Sequence, residues 1–249
     1  MTMPDANVFT VIQGLKACVD LGGTKVAVSL ANRAGLHAKR VEATCKTGKN
    51  DALALQIIRM ISESCLEAGL KQEDIDALGV SSCGPFVLNN GMVELAAPNI
   101  CGGIAGEARG LPNDWQSALL EAPLKALFPN VRQIRVENDG IAALQAERRW
   151  GALQHNGVPL ANCAYVTWST GIGTGLCVDG HVLRGKNGNA GHAGHMFVSS
   201  NVDALCGCGN LGDLEALVAG NAIPRRFTVH GYPDFATLLV ATKSSNTLA

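Results

Sequence analysis

Residues 163–195 read C-A-Y-V-T-W-S-T-G-I-G-T-G-L-C-V-D-G-H-V-L-R-G-K-N-G-N-A-G-H-A-G-H, and residues 206–215 read C-G-C-G-N-L-G-D-L-E. The first run opens as a strand, Cys163–Trp168, and breaks at Ser169–Gly175, where glycine takes every second place from Gly171. Such a turn lets backbone N–H groups approach a phosphate with no side chain in the way. Gly175–Val178 and His181–Arg184 then flank Asp179-Gly180, a two-residue hairpin signature. Farther on, His195 precedes Cys206 and Cys208, and an imidazole with two thiolates is a zinc-type donor set. One segment thus carries a candidate phosphate cradle and a candidate structural metal site.

The N-terminal part supplies a matching half. Lys16–Leu21 is a short apolar strand that contains Asp20, and Val26–Leu30 is a second. Gly22, Gly23, Thr24 and Lys25 join them, which predicts a hairpin. Its tip offers a carboxylate for hydrated magnesium, and amides and a hydroxyl for phosphate oxygens. The Walker A spacing is absent, and an ordinary β-turn with a solvated lysine explains the same residues. A third element is R-V-E-N-D at Arg135–Asp139. Val131–Val136 reads as a strand and Gly140–Trp150 as a helix, so Asn138-Asp139 sits at the handover. A carboxylate there can take a proton from a substrate hydroxyl, with the amide orienting the substrate. Asn and Asp are equally at home there as helix N-caps.

The remaining pattern is that of an α/β protein. Lys39–Cys45 predicts a third strand and Ala77–Ser82 another, closed by a Gly84-Pro85 turn. Asp51–Ala68 predicts an amphipathic helix with Leu55, Ile58, Ile61 and Leu66 on its apolar side, stopped by Gly69. Pro112–Leu120 predicts a further helix, and Pro233–Thr242 a short one before a polar tail. The chain has 249 residues, 47% hydrophobic, with a formal net charge of −1. That balance argues against nonspecific binding to nucleic acid or anionic membrane. No apolar run reaches the ~18 residues of a membrane span, and the first residues lack the pattern of a signal peptide. The 29 glycines exceed an average share of about 7% and fit a site built from loops. Nine cysteines, an odd number outside a secretory context, predict reduced thiols. Cys18, Cys83, Cys163 and Cys177 read as small core residues.

Together, from about Lys16 to Gly220, these motifs resemble the ROK family of sugar kinases and repressors. D-L-G-G-T-K at Asp20–Lys25 looks like the family's first phosphate motif and S-T-G-I-G-T-G at 169–175 like its second. N-D at 138–139 looks like its sugar-binding Asn and catalytic Asp. G-N-A-G-H-A-G-H at 188–195 and the 206–215 stretch look like its sugar and zinc signatures. The resemblance implies an α/β, actin/hexokinase-like (ribonuclease H-like) fold with lobes at 1–137 and 138–249. It implies phosphoryl transfer from ATP to a hexose or N-acetylhexosamine at the 6-hydroxyl, in the cytoplasm. Asp139 is then the general base. Asp20, Gly22, Gly23, Thr24, Lys25, Thr170, Gly171, Ile172 and Gly173 bind ATP with Mg2+. Gly84, Asn99, Asn138, Asp139, His192, His195 and Glu215 contact the sugar. A homodimer is expected, without nucleic-acid or membrane partners.

Three departures from the family pattern bear on this. His192 stands where the family usually has Glu, so its sugar preference does not transfer. The usual zinc set of one His and three Cys has Asp213 in its last place; His195, Cys206, Cys208 and Asp213 still offer four allowed ligands for Zn2+. After Gly220 the family continues with further elements on the adenine side, so the sequence reads as truncated with an incomplete second lobe. The rival expectation is accordingly a sugar binder without catalysis. A repressor is disfavoured, since Met1–Leu15 cannot form a helix-turn-helix ahead of the first motif.

Overall fold

The structure is a computed structural model that describes residues 13–105, 110–200 and 204–223, with the single positions 226, 231, 236, 237, 239 and 240. By contact it divides into two compact units, Met1–Leu160 with Arg184–Asn189, and Ala161–Leu183 with Ala190–Ala249.

The first unit is organised by β1 (Leu15–Leu21), β2 (Lys25–Asn32), β3 (Gly35–Ala43), β4 (Ile75–Ser82) and β8 (Gln133–Asn138), in the spatial order β3-β2-β1-β4-β8. The expected hairpin at Gly22-Gly23 forms: β1 and β2 are antiparallel with Leu21 opposite Val26. Strand β4 runs parallel to both neighbours, placing Asp20 opposite Ser81 and Ser82 opposite Asn138. Three strand ends carrying Leu21, Ser82 and Asn138 therefore share one edge. Period-2 alternation buries Leu15, Ala17, Val19 and Leu21 on one face. Cys18, expected in the core, falls on the other face and is exposed; Cys83 and Cys163 are partly covered and Cys177 is buried.

Helix α1 (Ala52–Ala68) packs on this sheet and ends at Gly69, whose φ of 66° is a left-handed position suited to glycine. Its buried side is Leu53, Ala54, Ile57, Met60, Ile61, Ser64 and Cys65. The expected face was rotated from this one, since Leu55 and Leu66 are 47% and 82% exposed. Burial of each large aliphatic on the true face stabilises by roughly 1.5–3 kcal/mol. Three short strands, β5 (Phe86–Asn89), β6 (Met92–Leu95) and β7 (Ala118–Leu119), form a second sheet. Between β6 and β7 lies the short helix α2 (Gly102–Ala105). The helix expected over Pro112–Leu120 is instead a loop that ends in β7. Asn113 explains it: its side-chain oxygen accepts from the N–H of Gly102 and Trp115. Its amide donates to the carbonyls of Lys46 and Ile100. Bonds from the Asn113 side chain, one local and three to residues farther away in the chain, thus take the place of helical ones. Buried Trp115 completes the anchor through Nε1 to the Gly48 carbonyl, 3.0 Å.

Helix α3 (Glu121–Leu127) precedes β8. Strand β8 runs directly into helix α4 (Asp139–Trp150), and both sides of the 137/138 junction lie in the first unit. Two-residue strands β9 (Gln154–His155) and β10 (Val158–Pro159) pair after it.

The second unit holds an antiparallel sheet of β11 (Cys163–Trp168), β12 (Ile172–Val178) and β13 (His181–Val182). The Asp179-Gly180 turn joins β12 and β13 as expected, with φ of 49° and 81°. A 3-10 turn at Ala193–His195 and a short helix α5 (Leu214–Val218) follow. The expected Pro233–Thr242 helix falls largely outside the described residues. Among the described residues no helix is long and apolar enough to cross a membrane.

Candidate functional site

In the first unit, candidate residues gather at the shared strand edge. Gly22 donates to the carbonyl of Lys25 across the β1–β2 turn, and Thr44 donates its hydroxyl to the Gly22 carbonyl at 2.7 Å. A Cβ on Gly23 would stand 2.0 Å from Asn99 Nδ2, so a larger residue there would have to push the Asn99 amide aside. The structure therefore brings Asn99, one of the residues expected to contact the sugar, directly onto the glycine turn. Thr24 and Lys25 are exposed beside it.

Asp20 faces outward near the end of β1. Crowding by surrounding protein lifts its carboxyl above the usual aspartate range, opposed by the Lys39 ammonium. It makes no salt bridge among the described residues, and a hard carboxylate at a strand end suits a hydrated magnesium ion. Gly84, joined to Pro85 by a cis peptide, follows β4 at the same edge.

Asn138 is 4% exposed and caps α4: its Oδ1 accepts from Gly140 N at 3.0 Å and Ile141 N at 3.4 Å. Its amide NH2 is the part left to face a ligand. Asp139 follows, half-buried, with Oδ1 accepting from Gly140 N at 2.8 Å. Sequence reasoning missed Cys83, which sits at this edge and donates its N–H to the Leu21 carbonyl. Burial, then the charges of Asp139 and Asp20, push its thiol up to about 12. Asp20, Cys83 and Asn138-Asp139 thus lie at the ends of three neighbouring strands. The signal available in sequence was its position two residues before Pro85, at the end of a strand.

In the second unit, the glycine turn between β11 and β12 is held tightly. Ser169 donates to the Gly171 carbonyl, Gly220 to Ser169 and Asn221 to Thr170. Glu215 Oε2 accepts from Ile172 N at 2.8 Å, so this candidate sugar ligand braces the candidate phosphate turn. Thr170 is exposed, Gly173 half-buried, and a Cβ on Gly171 would stand 2.7 Å from Glu215 Oε2. His192 and His195 stack with ring centroids 6.0 Å apart.

His195, Cys206, Cys208 and Asp213 come together with ligand atoms all within 4.8 Å of one another. Cys206 Sγ lies 3.5 Å from His195 Nδ1, and Cys208 donates to Asp213 Oδ2 at 3.1 Å. Asp213 is 2% exposed and Cys206 3%. Burial pushes the Cys206 thiol up to about 12, so coordination must displace a firmly held proton. Two cysteines, an imidazole and a buried carboxylate are donor types that zinc accepts.

A family model described as "ROK family" matches residues 16–234. A glucokinase of Thermotoga maritima is 32% identical over 224 residues, which is 89% of this chain and 62% of that one. An N-acetylmannosamine kinase of Haemophilus influenzae is 28% identical, covering 82% of this chain and 59% of the relative. This chain thus spans about three fifths of the length of these curated relatives. A ROK hexokinase from Thermus thermophilus superposes with a TM-score of 0.65 at 30% identity, covering 94% of this chain and 70% of that one. A ROK glucokinase from Streptomyces griseus, solved in complex with glucose and AMPPNP, gives 0.63 at 26%, covering 92% and 65%. The expected α/β, actin/hexokinase-like fold is borne out by these neighbours.

Proposed function

The chain belongs to the ROK family, and on that premise we propose that it phosphorylates a hexose or N-acetylhexosamine with ATP, Asp139 serving as general base. The carrying observation is the edge where β1, β4 and β8 end. There the register of three neighbouring strands brings Asp20, Cys83 and Asn138-Asp139 to one sheet edge.

The division of labour follows from chemistry. Phosphoryl transfer needs positioning, charge neutralisation and a base for the attacking oxygen. Asn138 uses its oxygen on the α4 cap, which turns its NH2 toward a sugar hydroxyl. Asp139, fixed by the Gly140 N–H, accepts the proton of the attacking hydroxyl. Gly22 closes the turn through its N–H to Lys25, and Gly23 and Thr24 would present amides and a hydroxyl to phosphate oxygens. Asp20 would hold Mg2+, whose charge would offset that of the ATP phosphates. In the second unit, Thr170–Gly173 offer further phosphate contacts, and His192, His195 and Glu215 contact the sugar. His195, Cys206, Cys208 and Asp213 would hold a structural zinc. A cytoplasmic homodimer belongs to the same reading.

ADP release with ATP, magnesium and a panel of hexoses and N-acetylhexosamines tests it. Turnover with one sugar supports the kinase and identifies its substrate. A sugar that raises the melting temperature without ADP release would replace the kinase with a sugar binder.

A further inference from the structure

Arg184–Asn189 contacts the first unit although both of its sequence neighbours belong to the second. Its two ends bond to two different strands, β8 through Glu137 and β5 through Phe86. At one end, Arg184 Nε donates to Glu137 Oε1 at 2.8 Å and Nη2 to Oε2 at 3.2 Å. Glu137 is 8% exposed, and its Oε2 also accepts from Gln145 Nε2 at 2.8 Å, with Arg135 Nε 3.5 Å away. At the other end, Asn189 Oδ1 accepts from Phe86 N and Asn189 Nδ2 donates to Phe86 O, both at 2.7 Å. Gly188 holds φ 78°, a left-handed position suited to glycine, and lies within van der Waals reach of the Phe86 ring.

These anchors flank the candidate site closely. Glu137 is bonded to Asn138, and Phe86 follows the Cys83–Pro85 turn. The strands that lead there, β4 and β8, are parallel neighbours with Ser82 opposite Asn138. We propose that residues 184–189 are a strap holding both strand exits in register, with Arg184 and Asn189 as positioning residues for Asn138-Asp139. The planar guanidinium fork fixes the direction of the Glu137 carboxylate as well as its place. Without it, a nearly buried carboxylate turns toward water and rotates the peptide that leads into Asn138. The α4 cap then loosens, and Asp139 moves with it.

The kinetic part of the test rests on the kinase reading; the exchange part does not. Amide hydrogen exchange is followed in the full chain for wild type, Arg184→Ala, Arg184→Lys and Lys186→Ala, the last an exposed residue of the same strap. Arg184→Ala is expected to speed exchange at Gly140 and Ile141 about tenfold or more, with Val19 and Val28 in the sheet unchanged. Arg184→Lys gives a smaller change in the same place, and Lys186→Ala none. With the preferred sugar, kcat of Arg184→Ala falls about 10- to 100-fold while the sugar KM stays within about threefold, as for a misplaced base. Arg184→Lys recovers part of that loss. Exchange at Gly140 and Ile141 within about twofold of wild type would overturn the strap. So would equal acceleration throughout the sheet in both Arg184 variants, which would make the residue a general stabiliser. If wild type turns over no sugar, the kinase reading fails and the exchange pattern still decides the strap.

Discussion

Asn138 caps a helix with one end of its amide, and the proposed function assigns the other end to a ligand. Its oxygen takes two N–H groups of α4, and such a cap is worth about 1 kcal/mol. Capping and substrate contact, which compete as explanations when only the sequence is read, are compatible once the atoms are separated. Gly194 shows the steric side of the same economy. A Cβ there would lie 2.4 Å from the Ile172 carbonyl oxygen, and backbone cannot swing aside as a side chain can. Gly194→Ala is expected to destabilise the chain by about 1–3 kcal/mol, seen as a lower urea midpoint. An unchanged midpoint would contradict the packing of the 193–195 turn against β12. Glycine spacing marked this region in the sequence, but the partner of Gly194 is a carbonyl brought in by folding, which no local pattern encodes.

Among the elements, those with strong local signals were legible: both glycine hairpins, β11, α4 and the limits of α1. Two were not. The apolar side of α1 has Leu55 and Leu66 as distractors, and only packing against the sheet selects Leu53, Ile57, Met60 and Ile61 instead. Asn113 turns a helix-like stretch into a loop through bonds to Lys46, Ile100, Gly102 and Trp115, some of them distant in sequence. The loop carrying Cys206, Cys208 and Asp213 makes its own prediction. It has few apolar neighbours, a small cluster of Ala204, Cys206 and Ala216 with Leu217, so a cation should supply much of its rigidity. Zinc is expected at about one per chain, and Cys206→Ser or chelation should lower the melting temperature. Asp213→Cys, which adds a third thiolate, should make the metal harder for a chelator to remove. A chain that melts identically with and without chelator would contradict a structural metal.

At the scale of the whole molecule, each unit carries part of the proposed site. The first holds Asp20, the Gly22-Gly23 turn and Asn138-Asp139; the second holds the Ser169–Gly173 turn, the stacked histidines and the metal loop. Family and fold were legible because motif order survives in the sequence even where spacing within elements misleads. Cys83 and the Arg184–Glu137 tie were not, since their meaning depends on which strand ends become neighbours. The central claim is that Asp139 is the base of a sugar kinase. The most direct test compares sugar-dependent ADP release by wild type and Asp139→Asn, with sugar affinity measured on both. The account predicts that the substitution lowers turnover about 10²- to 10⁴-fold while sugar affinity changes by no more than a few fold. Turnover within a few fold of wild type, or loss of sugar binding in parallel with rate, would contradict it.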